Sequence, residues 1–152
     1  MREILLRGKK VTDGEWTYGY YIQVEDFLDD KRHDLIFEID SVAYPDNEIV
    51  GSNEISPETL GQYTGLTDKN DTKIFEGDIV KVDDDFDTFG KMAGEIREVW
   101  FKDGGFRLKP KYASSIARGD RGYWLEDGAD YEVIGNIYDN PELLGGDRNE
   151  RD

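Results

Sequence analysis

His33 is the first candidate for acid–base chemistry, because it is the only histidine in the chain. It lies between Arg32 and Asp34 in a charged stretch, and the chain has no cysteine. No Gly-x-Ser-x-Gly motif supplies a nucleophile that would complete a triad with it. With 35 acidic residues, carboxylate pairs arise by chance, and spacing singles out no pair for hydrolysis. We therefore expect a surface histidine, no catalytic residue and no enzymatic activity.

Two acidic segments have part of the pattern of a metal-binding loop. Residues 68–73 begin like an EF-hand loop, but Lys73 stands where the motif needs glycine and Ile79 where it needs glutamate. The run Asp83–Asp85 with Asp87 places four carboxylates in five residues. Such a run binds Ca²⁺ or Mg²⁺ weakly at best, and a solvated loop is the interpretation we favour. We expect neither a metal nor a cofactor.

The overall charge argues against nucleic acid and anionic membranes as partners. Among 152 residues, 19 are basic and 35 acidic, which gives a net charge of −16. This charge repels phosphates at long range, so a local basic patch would have to overcome it. The best candidate patch is formed by four cations interleaved with aromatic residues: Lys109, Lys111, Arg118 and Arg121, with Phe106, Tyr123 and Trp124. The alternative, which we favour, is a strand pair and loop with ordinary solvated charges.

Aromatic residues are the better candidates for an interaction surface. Trp16, Tyr18 and Tyr20 share one face of a predicted strand, Tyr21 lies on the opposite face, and Tyr123 and Trp124 follow later. Tyrosine and tryptophan are enriched in protein interfaces because each combines a large apolar area with a polar tip. The alternative role for these residues is core packing between two sheets.

The elements that must position these residues are predicted to be strands. Apolar residues alternate from Glu15 to Val24 after an Asp13-Gly14 hairpin signal, and Leu35 to Val42 forms a further strand. Ser56-Pro57-Glu58 is predicted to form one short helical turn. No segment has a long helical period, so the predicted fold class is mainly β with little helix.

The second half of the chain has short strands separated by tight turns. Five strands over about 75 residues favour a small SH3-like barrel, and Gly77 is predicted to hold a sharp structural turn before the strand Ile79–Val82. We therefore predict an N-terminal β-sheet module over residues 1–62, packed on an SH3-like β-barrel module over residues 63–144. Residues 145–152 contain no apolar side chain and are predicted to form a disordered tail.

Four blocks of sequence resemble the YopX family of bacteriophage and prophage proteins: residues 1–9, 15–20, 61–80 and 131–144. The third block includes Asp68-Lys69-Asn70 and Ile74-Phe75-Glu76-Gly77-Asp78, and Asp71 stands where the family usually has glycine. The resemblance spans nearly the whole chain. It implies a small, mostly β phage or prophage protein of the bacterial cytoplasm, with no catalytic residues and no established biochemical role.

The function expected from these observations is that of a phage accessory protein which acts through contacts with a host or phage protein, or with further copies of itself. The alternative is a nucleic-acid-associated protein or an acidic DNA mimic that occupies a host DNA-binding protein. The first eight residues contain only three consecutive apolar residues, too few for a signal peptide. Together with the lack of cysteine, this favours the reducing cytoplasm.

Overall fold

The protein is described from a computed structural model, which covers residues 2–38, 51–83, 94–127 and 130–147. The chain divides into two compact units, Met1–Tyr63 and Thr64–Asp152. Within the described residues there are ten strands, one short α-helix and one 3₁₀ helix. The prediction of a mainly β fold is confirmed. No helix in this part of the chain is long and apolar enough to cross a membrane.

The first unit is built from three strands and most of a fourth. They are β1 (Leu6–Lys10), β2 (Trp16–Asp26), β3 (Lys31–Glu38) and β4 (Gly51–Thr67). All pairings are antiparallel, and they form a closed cycle, since β1 pairs with β2 and β4, and β3 pairs with both as well. Such a cycle leaves few unpaired backbone groups within it. Ile36, Ile55 and Thr17 are almost completely buried in this unit.

The turn between β1 and β2 forms where the sequence predicts it. Gly14 has a φ of +73°, a conformation that glycine adopts without strain. The Asp13 carboxylate accepts a hydrogen bond from the Glu15 N–H at 2.9 Å, and the Lys10 N–H donates to the Glu15 carbonyl at 2.9 Å. The local turn chemistry and the pairing of the two strands therefore agree.

The short helical turn predicted at Ser56-Pro57-Glu58 is wrong, because these residues lie within β4. The register of β4 against β1 shifts here: Arg7 is opposite Gly61, but Lys9 is opposite Ser56. The Thr59 hydroxyl donates to the Ser56 carbonyl at 2.6 Å and accepts from the Lys9 N–H at 2.8 Å. The proline thus occupies a bulge, where its missing N–H removes no ladder hydrogen bond.

The second unit contains the end of β4 and six further strands: β5 (Lys73–Phe75), β6 (Asp78–Val82), β7 (Ile96–Lys102), β8 (Gly105–Leu108), β9 (Tyr123–Trp124) and β10 (Tyr131–Asn136). Five of them form an antiparallel sheet in the order β10-β6-β7-β8-β9. The helix α1 (Ala113–Ala117) lies between β8 and β9, and a 3₁₀ helix spans Pro141–Asp147. The pairings give an open order with β9 and β10 at the edges, so closure into an SH3-like barrel stays a prediction.

The core of the second unit consists of aliphatic residues and one tyrosine. Its buried members are Ile74, Val80, Val82, Val99, Leu108 and Tyr131. They come from five strands, which explains why alternating residues in these short segments are apolar. The 3₁₀ helix includes residues 145–147 of the predicted tail, and residues 148–152 lie outside the described residues.

Candidate interaction surfaces

The face of β2 that carries most of its aromatic residues is exposed. The exposed fractions are 44% for Tyr18, 51% for Tyr20, 41% for Ile22 and 38% for Val24. On the opposite face Thr17 is only 1% exposed. The more apolar face of this strand is therefore the outer one, which is the reverse of the usual arrangement in a sheet with one solvated face.

The apolar face continues from β2 onto β3. The antiparallel register places Tyr20 opposite Phe37 and Ile22 opposite Leu35, and directly paired residues share a face. Leu35 and Phe37 are half-buried. The two strands therefore present a continuous apolar strip.

The strip ends at the turn between β2 and β3, where two apolar side chains project. Phe27 is 95% exposed and Leu28 is 96% exposed. A side chain and a left-handed backbone conformation fix the turn. The Asp26 carboxylate accepts a hydrogen bond from the Leu28 N–H at 2.8 Å, and Asp30 has a φ of +55°. An open depression of about 460 Å³ lies beside this turn and is lined by Val24, Phe27, Leu28, His33 and Leu35, among others. We call the whole strip and its tip the hairpin surface: Tyr18, Tyr20, Ile22, Val24, Phe27, Leu28, Leu35 and Phe37.

The other aromatic residues predicted for an interaction surface are placed differently. Trp16 is half-buried, with the Arg7 guanidinium 4.5 Å and the Lys9 ammonium 5.5 Å from its ring centroid. The Tyr21 hydroxyl donates to the Asp34 carboxylate at 2.5 Å, and this hydrogen bond raises the pKa of Tyr21. Tyr123 and Trp124, 50% and 52% exposed, belong to the second unit and form no part of the hairpin surface.

Lys109 and Arg121 of the predicted nucleic-acid patch are matched by carboxylates. Lys109 lies 3.0 Å from Glu98, and Arg121 forms an ion pair with Asp103 that lowers the pKa of that carboxyl group. The remaining two, Lys111 and Arg118, are exposed, and the Lys111 ammonium lies 5.5 Å from the ring centroid of Tyr112.

Two cations of this sheet, Lys102 and Arg107, are absent from the predicted patch. They share a face of the sheet with Trp100, Lys109 and Trp124. The alternation of Trp100 and Lys102 in one strand was a signal that could have identified Lys102. Arg107 could not have been assigned without the strand register.

His33 is held by carboxylates on both of its ring nitrogens. Its Nδ1 lies 2.9 Å from Glu54, and its Nε2 lies 3.4 Å from Asp29. The hydrogen bond to Glu54 is the main reason that the pKa of His33 is raised, partial burial opposes it, and Asp29 adds to it. The atoms of His33, Asp26 and Asp29 that could bind a metal ion, one from each residue, lie within 4.8 Å of one another. Both aspartates also accept backbone N–H groups of the turn, so this cluster serves the hairpin.

Of the acidic run for which the sequence favours a solvated loop over a weak cation site, only Asp83 lies within the described residues. Its carboxylate is 3.5 Å from the Lys69 ammonium. Residues 84–87 lie outside the described residues, so this prediction stays open.

Comparisons with known proteins identify the family. No curated protein matched the chain. A crystal structure of protein EF1440 from Enterococcus faecalis is similar, with 26% sequence identity, a TM-score of 0.49, and coverage of 95% of this chain and 99% of that one. The sequence also matches the YopX protein family over residues 6–145, which is nearly its whole length. The chain is therefore a member of the YopX family.

Proposed function

We propose that this protein is a non-enzymatic interaction protein that binds another protein through the hairpin surface. The observation that carries the proposal is the exposure of a contiguous apolar strip that ends in two almost fully exposed side chains, Phe27 and Leu28. Monomeric proteins rarely expose contiguous apolar patches unless these serve binding. We further propose that the protein belongs to a phage or prophage and acts in the bacterial cytoplasm, as the family resemblance implies.

The backbone of the hairpin supports the proposal. Residues 20–26 of β2 pair only with β3, and residues 31–34 of β3 pair only with β2, among the described residues. This part of the hairpin is thus a two-stranded ribbon. Isolated two-stranded ribbons are marginally stable in water and gain stability when a further surface covers them. A partner that covers the apolar strip would provide that stability.

The charges of the ribbon indicate the chemistry of the partner. Residues 22–35 contain five acidic and two basic side chains. A second copy would bring the same excess of negative charge to the contact, and like charges at an interface cost free energy. A partner with an apolar groove edged by lysine or arginine fits this surface better than a second copy does. Association should therefore weaken as salt concentration increases.

The environment of His33 supports a non-enzymatic role. Both of its ring nitrogens face carboxylates, from Glu54 and Asp29. Among the residues that the structure describes, neither nitrogen is placed to accept a proton from a serine or threonine hydroxyl, which is the step that a catalytic triad requires. The histidine instead links β3 to β4 and to the turn of the hairpin.

The experiment is an affinity capture from host cells with matched variants. The double variant Phe27→Ser, Leu28→Ser removes two side chains that make almost no contact within the chain, so its melting temperature should stay close to that of the parent. The control is Val11→Ser, which removes an apolar side chain that is 52% exposed in the β1–β2 turn. We expect the tip variant to lose a captured protein that the parent and the control both retain, as quantified by mass spectrometry.

Two outcomes would contradict the proposal. One is capture of the same proteins, in the same amounts, by the tip variant and the parent. The other is a dimer of the parent in sedimentation equilibrium that the tip variant converts to a monomer, because the hairpin surface would then be covered by a second copy.

A further inference from the structure

A second surface, in the second unit, combines tryptophan rings with cations. The register places Trp100 of β7 opposite Arg107 of β8, and Arg107 opposite Trp124 of β9. Directly paired residues share a face, so these three side chains form a row across three strands. Lys102 lies on the same face two residues after Trp100. We call Trp100, Lys102, Arg107, Lys109 and Trp124 the tryptophan–cation face.

The contacts within this face are close. The Arg107 guanidinium lies 3.5 Å from the ring centroid of Trp124. A Cβ atom at Gly105 would stand 2.2 Å from the same ring, so the indole lies against the backbone of β8 at a position where only glycine fits. Two ammonium groups, from Lys102 at 5.8 Å and Lys109 at 5.3 Å, flank the ring of Trp100. The Trp124 ring thus lies against β8 and remains 52% exposed, whereas Trp100 is half-buried.

The face carries two cations, Lys102 and Arg107, that lie in the electrostatic field of one carboxylate, Asp103. Lys109 is paired with Glu98, but neither Lys102 nor Arg107 forms an ion pair within the described part of the chain. The Nε–H group of Arg107 is buried and has no hydrogen-bond acceptor among the described residues. In a chain of net charge −16, two cations that lie beside two tryptophan rings and share one nearby carboxylate favour an anionic ligand at this position.

We infer that the tryptophan–cation face binds single-stranded nucleic acid, with bases stacked on the indole rings and phosphates held by Lys102 and Arg107. Base stacking on an aromatic side chain contributes about 1–3 kcal/mol per base, and cations beside the rings hold the backbone. An acidic peptide would use the cations but would gain nothing from stacking on the indole rings. In a duplex the bases are already stacked, so they are not available to these rings.

The long-range charge of the chain sets the expected affinity. Because −16 repels a polyanion, binding should need low salt, with a Kd of about 10⁻⁵ M, inside the ordinary range of non-specific binding. Two phosphate contacts should make log K fall with log salt with a slope of roughly −1.4 on a single strand. This inference does not depend on the proposed function, because the hairpin surface belongs to the first unit.

The test is a fluorescence anisotropy titration of labelled oligo(dT), oligo(U) and duplex DNA, each ten nucleotides or base pairs long, with the full chain. Trp124→Ala is compared with Tyr123→Ala, because the two neighbours are equally exposed and point to opposite faces of β9. We expect Trp124→Ala to weaken binding about tenfold and Tyr123→Ala to leave it unchanged. Arg107→Gln should reduce the salt slope by roughly 0.7, whereas Lys111→Gln should not change it. The relative affinity for oligo(dT) and oligo(U) shows whether DNA or RNA is preferred.

Several results would overturn the inference. They are a Kd weaker than about 10⁻⁴ M for both single strands at low salt, equal losses for the Trp124 and Tyr123 variants, or duplex binding as tight as single-strand binding. Tighter binding of an oligo-glutamate peptide than of either oligonucleotide would also overturn it. If Trp124→Ala lowers the melting temperature, the double variant Lys102→Gln, Arg107→Gln replaces it, since Lys102 is exposed and neither change opens a cavity.

Discussion

Replacing Asp68 by asparagine tests how the turn between β4 and β5 is fixed to the rest of the second unit. The Asp68 side chain is buried, with 6% of the residue exposed. One carboxylate oxygen accepts from the backbone N–H groups of Asn70 at 2.8 Å and Thr72 at 2.9 Å. The other accepts from the N–H of Val133 in β10 at 2.9 Å, across 65 positions of sequence. A single carboxylate thus closes the turn and joins it to a distant strand.

Asparagine has nearly the same shape but only one acceptor oxygen. If that oxygen keeps its hydrogen bonds to the N–H groups of Asn70 and Thr72, the amide NH₂ group faces the N–H of Val133. The buried N–H of Val133 is then left without an acceptor. An unsatisfied buried donor costs about 1–3 kcal/mol, and each hydrogen bond that loses its charged acceptor weakens by about 1 kcal/mol. We therefore expect Asp68→Asn to lower the free energy of unfolding by about 3–5 kcal/mol.

The matched control is Asp71→Asn in the same turn. Asp71 is exposed and has a φ of +61°, where asparagine is tolerated better than most residues. The control makes the same chemical change only three positions away from Asp68. Its urea midpoint should therefore equal that of the parent or lie slightly above it. With a urea slope of about 1–3 kcal/mol/M, the midpoint of Asp68→Asn should fall by about 1 M or more.

The difference in free energy of unfolding between the parent and Asp68→Asn should depend on pH, which gives an independent check. Burial would raise the pKa of Asp68, but the three backbone donors outweigh burial and hold it below its ordinary value of 3.8. A carboxyl group with a lowered pKa contributes stability above that ordinary value, and the contribution is lost as pH falls through the lowered pKa. The gap between parent and Asp68→Asn should therefore be constant from about pH 5 to 7 and shrink below about pH 4. Coincident urea midpoints for Asp68→Asn and Asp71→Asn at pH 7 would refute the reasoning.

Three further predictions concern the turn at Gly77, the histidine and metal ions. Gly77 and Gly104 have φ of +88° and +83°, but only a Cβ at Gly77 would touch a side chain, at 3.2 Å. In urea denaturation, Gly104→Ala should lower the free energy of unfolding by about 1 kcal/mol, and Gly77→Ala should lower it by about 1 kcal/mol more. Equal losses of stability in the two variants would mean that backbone strain alone matters. The NMR titration of His33 should show a pKa above 6.5 that falls in Glu54→Gln, because Glu54 raises it, and its stabilising effect should be lost as pH rises through that pKa. If the pKa of His33 is the same in Glu54→Gln as in the parent, the contact between His33 and Glu54 is excluded. Melting temperatures with EDTA and with millimolar Ca²⁺ should agree, and a large upward shift with Ca²⁺ would indicate a site in the acidic run 83–87.

The sequence predicted the strands and several turns because these depend on short-range effects. The alternation in β2 and the Asp13-Gly14 signal define a strand and its turn within about fifteen residues. Gly77, predicted to hold a turn, has the positive φ that favours glycine. These features follow from steric limits on single residues and from the two-residue period of a strand.

Short-range signals failed where a residue's conformation depends on a distant strand. Pro57 follows serine and precedes glutamate, which is typical of a helix start, yet pairing with β1 places it in a bulge of β4. The sequence also could not show which cations of the second unit lie together on one face. The register of β8 places Arg107 opposite Trp124, and Arg121 is paired with Asp103, and both are properties of the assembled sheet.

The sequence by itself determined that this chain is mainly β, where most of its strands lie, and that it belongs with the YopX family. Only the tertiary structure decided which side of β2 faces solvent. Alternation states that Tyr18, Tyr20 and Ile22 share a face, but it is symmetric between inside and outside. The orientation of β2 is fixed because Thr17, on its other face, is buried within the cycle of four strands. That choice depends on contacts between residues far apart in sequence, and it leaves the aromatic face of β2 exposed to solvent.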